Sequence, residues 1–117
     1  MGEIIFHIAT VTDWSMRRDT YVPEQFVTEG FIHCSTASQL MDVANRMYRG
    51  RDDLVILSID PERIKPGIRY ENLEGGEQQY PHIYGPLNIE AVIEYRHTRI
   101  SQDGNIYPAR PDSHPDS

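Results

Sequence analysis

Residues 30–36 have the sequence Gly30-Phe31-Ile32-His33-Cys34-Ser35-Thr36, and the predicted elements on either side are arranged around this segment. Its first half is apolar except for one histidine, which indicates a short buried strand. Thr36 and Gln39 have the Thr-x-x-Gln spacing of a capping box, so a helix should begin directly after the strand. The segment therefore brings an imidazole and two hydroxyl groups to a helix N-terminus, where backbone amides favour anions.

Side chains along a strand point alternately to its two faces. His33 therefore shares a face with Phe31 and Ser35. Ile32 and Cys34 point to the opposite face. We expect the segment to pack one face into a core and to present the other to a cleft.

The composition is that of a single acidic domain. The chain has 117 residues, enough to bury roughly two-thirds of its unfolded surface. Its 11 basic and 18 acidic residues give a net charge of −7, which repels nucleic-acid phosphates. A candidate basic patch of Arg46, Arg49 and Arg51 is typical of a solvated helix end. A nucleic-acid partner is therefore not expected.

The sequence contains no signal for membrane insertion or export. No stretch approaches the ~20 apolar residues that span a bilayer, and Met1 is followed by neither a basic region nor a cleavage motif. Cys34 is the only cysteine, so no internal disulfide can form, as expected in a reducing compartment. We expect a cytoplasmic protein with no membrane partner, and the oligomeric state is left open.

Hydrophobic periodicity and turn residues predict the order strand, helix, helix, strand, helix, strand, strand, irregular segment, strand. The order favours a mixed α+β fold with a largely antiparallel sheet over a doubly wound fold. Strands are predicted at 3–9, 31–34, 54–59, 68–72 and 89–97, and helices at 13–18, 24–29 and 37–49.

Two proline-containing segments are expected to lack regular structure. Pro81 and Pro86 interrupt the apolar residues 80–87, so no regular central strand is expected there. From residue 101 onward, prolines occur among aspartates and serines, which predicts a disordered tail. The single domain is therefore expected to span residues 1–100 and the tail residues 101–117.

Three of the five histidines lie inside apolar segments: His7, His33 and His82. A buried imidazole needs partners for both ring nitrogens, so one shared site explains three such residues better than three separate core positions. In an extended segment, Tyr80, His82 and Tyr84 share one face. We expect the three histidines to converge on one cleft, whose imidazoles, hydroxyls and aromatic rings suit a ligand with rings and phosphates.

Two alternative chemistries use the same residues. Three histidines can bind zinc: their separations of 26 and 49 residues match no local ligand motif, but catalytic sites of this type do draw on separated strands. Cys34 is a candidate nucleophile, but alternation points it away from His33, and a lone buried cysteine is usually unreactive. A metal-dependent hydrolase stays open as an alternative, and the thiol is disfavoured.

Four segments of the chain carry a resemblance to a known family. They are Phe6-His7-Ile8-Ala9-Thr10, residues 30–36, Asn45-Arg46-Met47-Tyr48-Arg49-Gly50-Arg51-Asp52-Asp53-Leu54 and Tyr80-Pro81-His82-Ile83-Tyr84-Gly85-Pro86-Leu87. Over roughly residues 3–97 the chain closely resembles the domain of unknown function 952 family. That family in turn is similar to a distant, minimal relative of the ADP-ribosyltransferase fold, nearest to RNA 2′-phosphotransferases.

The resemblance implies an ADP-ribosyltransferase-like split, mostly antiparallel β-sheet with short helices and an NAD-like ligand in its cleft. In the phosphotransferases a first-strand histidine is followed by a short polar residue, which His7 and Thr10 match. A second histidine lies in an Ile-His strand, which His33 matches. Two features depart from the pattern. No residue securely matches the late-strand glutamate of such transferases, for which Glu71 is the only strand-borne carboxylate to consider, and the basic RNA-binding lobe is missing from this sequence.

The predicted function is binding of NAD or an ADP-ribose-like nucleotide, a small-molecule partner, with enzymatic action on it left open. His33 and His82 are the predicted catalytic residues, because histidine is the common acid–base side chain. Tyr84 is expected to stack on a ligand ring, and no metal is expected. A non-catalytic nucleotide-binding sensor module is the alternative from another class. The predicted ligand-binding residues are His7, Thr10, Ser35, Thr36, Asn45, Arg49, Glu71 and Tyr84.

Overall fold

Every strand pairing in the described part of the chain is antiparallel. The computed structural model describes residues 2–72 and 75–110. The strands are β1 (Ile5–Thr10), β2 (Thr20–Tyr21), β3 (Ile32–His33), β4 (Leu54–Ile59), β5 (Gly67–Glu71), β6 (Tyr80–Tyr84), β7 (Leu87–Asn88), β8 (Val92–Ile100) and β9 (Ile106–Pro108). The helices are α1 (Val11–Ser15), α2 (Glu24–Glu29) and α3 (Ala37–Tyr48), with 3-10 turns at Pro61–Arg63 and Ile89–Ala91. None of these described helices is long and apolar enough to cross a membrane.

The strands form two main sheets. One has the order β1-β4-β8-β9 and the other the order β3-β6-β5, while β2 pairs with β7 in a short ribbon. The two main sheets meet where Phe6 of β1 and Ser35, just after β3, exchange backbone hydrogen bonds of 2.8 and 2.7 Å. The architecture confirms the predicted mixed α+β class with mostly antiparallel strands and short helices.

Within the four-stranded sheet, β1 and β4 are covered on both faces, which explains their continuous apolar runs. One face packs into the main core around Trp14, Tyr21 and Leu57. The other face packs against α3, where Ile8 and Ala44 belong to a second cluster. The helix that covers the sheet is thereby held beside the strand that carries His7 and Ile8.

Several elements begin or end where the sequence predicts. α2 has its predicted bounds and ends at Gly30, whose left-handed φ of 81° favours glycine. α3 begins at Ala37, directly behind the capping box of Thr36 and Gln39. β4 also has its predicted bounds. These positions are correct because each depends on a local signal.

Two other elements are displaced from their predicted positions. α1 begins at Val11 instead of residue 13, because Thr10 caps it by accepting a 3.0 Å hydrogen bond from the Asp13 backbone N–H. The strand predicted at 89–97 lies instead at Val92–Ile100, since the preceding residues form a 3-10 turn.

The expectation that residues 80–87 contain no regular central strand is wrong. β6 lies at the centre of its sheet, between β3 and β5. Proline cannot donate a ladder hydrogen bond, but the β3 ladder ends where His33 faces His82. Pro81 lies one position beyond that pair, and its carbonyl still accepts from the Cys34 N–H at 3.0 Å. The missing N–H therefore falls at the end of a short ladder.

The predicted tail is also corrected for part of its length. Residues 106–108 form β9, which pairs with the end of β8 so that Ile100 faces Ile106. The prolines and acidic residues concealed this strand, because its stability comes from a long-range partner. Residues 111–117 lie outside the described residues.

Candidate functional site

One face of the β3-β6-β5 sheet forms the floor of a cleft of about 180 Å³. Residues of α3 form one wall of this cleft, and residues of α2 and β1 line its edges. His7, His33 and His82 all line this cleft, so the structure brings together the three histidines that the sequence selected. Of the predicted ligand-binding residues, Ser35 and Glu71 also line it.

The first acid–base pair in the cleft is His82 with Glu71. His82 is buried in β6, and its Nδ1 lies 3.0 Å from Glu71 Oε1 on β5. Because an ionised carboxylate only accepts hydrogen bonds, Nδ1 carries the proton. Tyr84 donates to the same oxygen, and the hydrogen bonds from Tyr84 and His82 hold the pKa of Glu71 below its usual range. The His82 Nε2 has no hydrogen-bond partner among the described residues, so it can face a ligand.

The second pair is His33 with Glu29. The Nε2 of His33 donates to Glu29 Oε1, and both side chains are a little over two-fifths exposed. Glu29 is the last residue of α2, and the left-handed turn at Gly30 returns the chain so that the histidine four residues later meets it. Nδ1 of His33 has no hydrogen-bond partner within the described ranges.

The two imidazoles lie next to each other across the β3–β6 ladder. His33 and His82 are direct cross-strand partners, and their ring centroids are 5.3 Å apart, edge to face. Phe31 contacts both rings, at 4.2 Å from His82 and 4.7 Å from His33. A buried phenyl ring thus supports two imidazoles, each oriented by its own carboxylate. This arrangement can hold a proton donor and a proton acceptor side by side.

His7 lines the cleft but uses both ring nitrogens inside the protein. Its Nδ1–H donates to the His33 carbonyl at 2.5 Å, and its Nε2 accepts from the Tyr21 hydroxyl at 2.8 Å. Burial lowers the pKa of His7 to about 4 and raises the pKa of Tyr21, so both rings are neutral at pH 7. Both ring nitrogens of His7 therefore tie β1 to β3 and to β2, and the predicted ligand-binding role of the residue stays a prediction.

The arrangement of donors does not support the zinc alternative. Three imidazoles would have to present ring nitrogens to one point, but both nitrogens of His7 are already used. Within the described residues, no group of three or more His, Cys, Asp or Glu side chains is placed to hold a metal ion. Cys34 lines the cleft, but burial raises the pKa of its thiol well above its usual range, which makes it a poor nucleophile.

Three predicted ligand-binding residues have roles in the framework instead of the cleft lining. Thr10 and Thr36 are the N-caps of α1 and α3. Tyr84, expected to stack on a ligand ring, donates its hydroxyl to Glu71 and packs beside Phe31 at 5.3 Å. Tyr84 therefore acts on the site through the carboxylate.

Asn45 and Arg49 also lie outside the cleft lining. Asn45 packs so closely on Gly104 that a Cβ there would be 2.7 Å from its side chain. Arg49 donates to Asn45 and, at 3.4 Å, to the Gln102 carbonyl. Both residues hold the end of α3 against the turn before β9.

Glu29, Arg46 and Tyr80 are among the residues that line the cleft without belonging to the predicted set. Tyr80 has a sequence signal, because it alternates with His82 along β6. Arg46 has a weak one, since it follows the apolar Val43 by three residues on α3 and therefore lies on the same helix face. Glu29 has none, because its contact with the histidine depends on the turn between them.

These observations define a small α+β domain with a cleft built from two histidine–glutamate pairs. The chain belongs to the family described as Protein of unknown function (DUF952), whose model matches residues 8–95. The matched range includes both pairs. No curated protein matches the chain.

Solved structures of protein CC0527 from Caulobacter crescentus have a similar fold. Its X-ray structure is 25% identical in sequence, has a TM-score of 0.77, and the match covers 89% of this chain and 93% of that one. A double-mutant crystal structure of the same protein gives the same values. The solution NMR structure, also 25% identical, has a TM-score of 0.70 and covers 97% and 98% of the two chains. The shared fold therefore extends over nearly the whole chain.

Proposed function

We propose that the cleft binds one end of NAD or of an ADP-ribose-like nucleotide and that its two histidine–glutamate pairs move protons on that ligand. The observation that carries this proposal is the edge-to-face pair of His33 and His82, each held by its own carboxylate. A carboxylate that fixes the tautomer and orientation of an imidazole prepares it for general acid–base work.

The size and chemistry of the cleft support a nucleotide ligand bound by one end. Its volume of about 180 Å³ is below the roughly 300–1,000 Å³ of pockets that enclose a drug-sized ligand, so one sugar or ring enters it. Ribose hydroxyls can donate hydrogen bonds to the carboxylates of Glu29 and Glu71. Tyr80 supplies an aromatic surface at the edge.

A relationship to the ADP-ribosyltransferase fold is part of the same proposal. It is supported by two antiparallel sheets that meet beside His7 and by Glu71, a carboxylate at the end of β5 held in its ionised form. In the reaction we propose, the C–N bond between ribose and nicotinamide breaks and a hydroxyl oxygen forms the new bond to ribose. The hydroxyl proton passes to an imidazole, and Glu71 stabilises the developing ribosyl cation. We place this reaction in the cytoplasm.

NAD or ADP-ribose is expected to raise the melting temperature. A ligand that binds only the folded state adds about 2.7 kcal/mol at 100 times its Kd, which corresponds to roughly 10 °C for a domain of this size. The variant His33→Ala should abolish the shift and leave the ligand-free Tm nearly unchanged, because His33 is exposed. His97→Ala, on the exposed part of β8, is the matched control and should keep the full shift.

Several outcomes would change this proposal. No shift with any adenine nucleotide at millimolar concentration would overturn it. Saturable binding without product, even after long incubation, would favour the sensor module. Activity that a chelator removes and zinc restores would favour the metal-dependent hydrolase.

A further inference from the structure

Charge is distributed unevenly around the cleft. Glu29 and Glu71 place two carboxylates beside the histidines, from α2 and β5. Arg46, from α3, is the one lysine or arginine of the described residues that lines the cleft. A complementary ligand carries hydroxyl groups or a positively charged ring near the histidines and a negative charge near α3.

We propose that Arg46 binds a phosphate group of the ligand at the rim of the cleft, with the attached sugar at the two histidine–glutamate pairs. The substrate class is then a phosphorylated sugar, and the part of the nucleotide that enters the cleft is a ribosyl phosphate. This inference rests on the proposed function and deepens it.

The guanidinium of Arg46 reaches from α3 to the sheet. Its Nη2 lies 3.4 Å from the hydroxyl oxygen of Tyr80 on β6, and its Nε donates to Asp42 on the same helix at 3.1 Å. Tyr80 and His82 are two residues apart on one face of β6, a spacing of about 7 Å. A five-carbon sugar with its phosphate ester spans this length, so one ligand can reach both the guanidinium and the imidazole.

Arg46 can accept a phosphate without disturbing the fold. The side chains of Arg46 and Asp42 are 45% and 60% exposed, so their ion pair is a surface pair of small stabilising value. A phosphate offers several oxygens to the planar guanidinium and can be bound in bidentate fashion.

Arg49, the C-cap residue directly after α3, provides a matched control. It has the same charge and lies three residues beyond Arg46, but it does not line the cleft, and its guanidinium bonds Asn45 and the Gln102 carbonyl. A general effect of positive charge on an anionic ligand would be shared by Arg46→Gln and Arg49→Gln. A loss of phosphate binding in Arg46→Gln but not in Arg49→Gln therefore indicates that Arg46 contacts the phosphate directly.

The test compares nicotinamide mononucleotide with nicotinamide riboside, which differ by the 5′-phosphate. Calorimetric titration should show that the wild type binds the mononucleotide at least about tenfold more tightly, as expected for a charge-assisted hydrogen bond. Arg46→Gln should reduce the ratio of the two affinities to near unity, because it weakens only the binding of the mononucleotide. Arg49→Gln should leave the ratio unchanged. Ribose 5-phosphate serves as a third probe that lacks the base.

Each result separates this inference from the proposed function. Equal binding of the two nicotinamide compounds by the wild type overturns the phosphate contact and leaves the nucleotide cleft intact. An equal loss in Arg46→Gln and Arg49→Gln also overturns it. Binding of ribose 5-phosphate that requires Arg46, without binding of either nicotinamide compound, supports the phosphate contact and overturns the nucleotide. Binding of none of the three probes overturns both.

Discussion

Replacing His7 by leucine is expected to lower the free energy of unfolding by about 3 kcal/mol. The substitution removes the acceptor of the Tyr21 hydroxyl and the donor to the His33 carbonyl. A buried polar group that loses its partner costs roughly 1–3 kcal/mol, and Tyr21 is fully buried, so no water takes the place of the imidazole. Urea denaturation of the wild type and His7→Leu measures the difference.

Two further variants separate the hydrogen bonds from a general effect of losing a histidine. In His7→Leu combined with Tyr21→Phe, the orphaned hydroxyl is also removed, so the double variant should be less destabilised than the sum of the single ones. His97→Leu changes an exposed histidine and should have a much smaller effect. Equal destabilisation by His7→Leu and His97→Leu would show that the buried hydrogen bonds contribute nothing.

The same residue is expected to make the protein sensitive to acid. Burial lowers the pKa of His7 to about 4 in the folded protein, whereas the unfolded chain has the ordinary value of 6.5. Between these values the unfolded chain binds a proton that the folded protein does not. The free energy of unfolding therefore has its full value, as far as His7 determines it, above pH 6.5, and it falls as the pH is lowered towards 4. The loss is roughly 3 kcal/mol. The stability gap between the wild type and His7→Leu should narrow over this range, and a constant gap would contradict the assignment.

The parts of the site that depend on local geometry can be predicted from the sequence. Alternation places Tyr80 and His82 on one face of β6, and the β5–β6 register bears this out. The capping box fixes the start of α3 after Ser35. Both features need only a few neighbouring residues, so their spacing is visible in the chain.

The parts that depend on distant partners cannot be predicted in this way. The role of His7 is decided by Tyr21, which is 14 residues away and occupies the nitrogen that a ligand would need. Pro81 is tolerated in a central strand because the neighbouring strand β3 ends at His33. The apolar residues 80–87 do not show where that neighbouring strand ends. Glu29 joins the site through a turn, and no periodic pattern links a helix end to a strand.

His82→Gln is expected to lower the rate of NAD consumption by about 10²- to 10⁴-fold, the usual contribution of a general acid or base. Glutamine can still donate to Glu71, but it has no nitrogen that accepts a proton as Nε2 does. Nucleotide should still raise the Tm of this variant, which separates loss of chemistry from loss of binding. His97→Gln is the control and should retain full activity. A wild-type rate in His82→Gln would exclude His82 from the proton transfer.

Tyr84→Phe tests whether the ionised Glu71 is required for the same reaction. The hydrogen bond from Tyr84 is the largest cause of the lowered pKa of Glu71, so its removal moves that pKa upward. Glu71 then becomes protonated at a higher pH, and the acid limb of the rate profile should shift to higher pH in this variant. Tyr107→Phe, at an exposed tyrosine of β9, should leave the profile unchanged. Chromatography of the products across the pH range measures the rate profile of each variant. An unshifted acid limb in Tyr84→Phe, with turnover intact, would mean that the charge on Glu71 does not act in catalysis and that the carboxylate only orients His82.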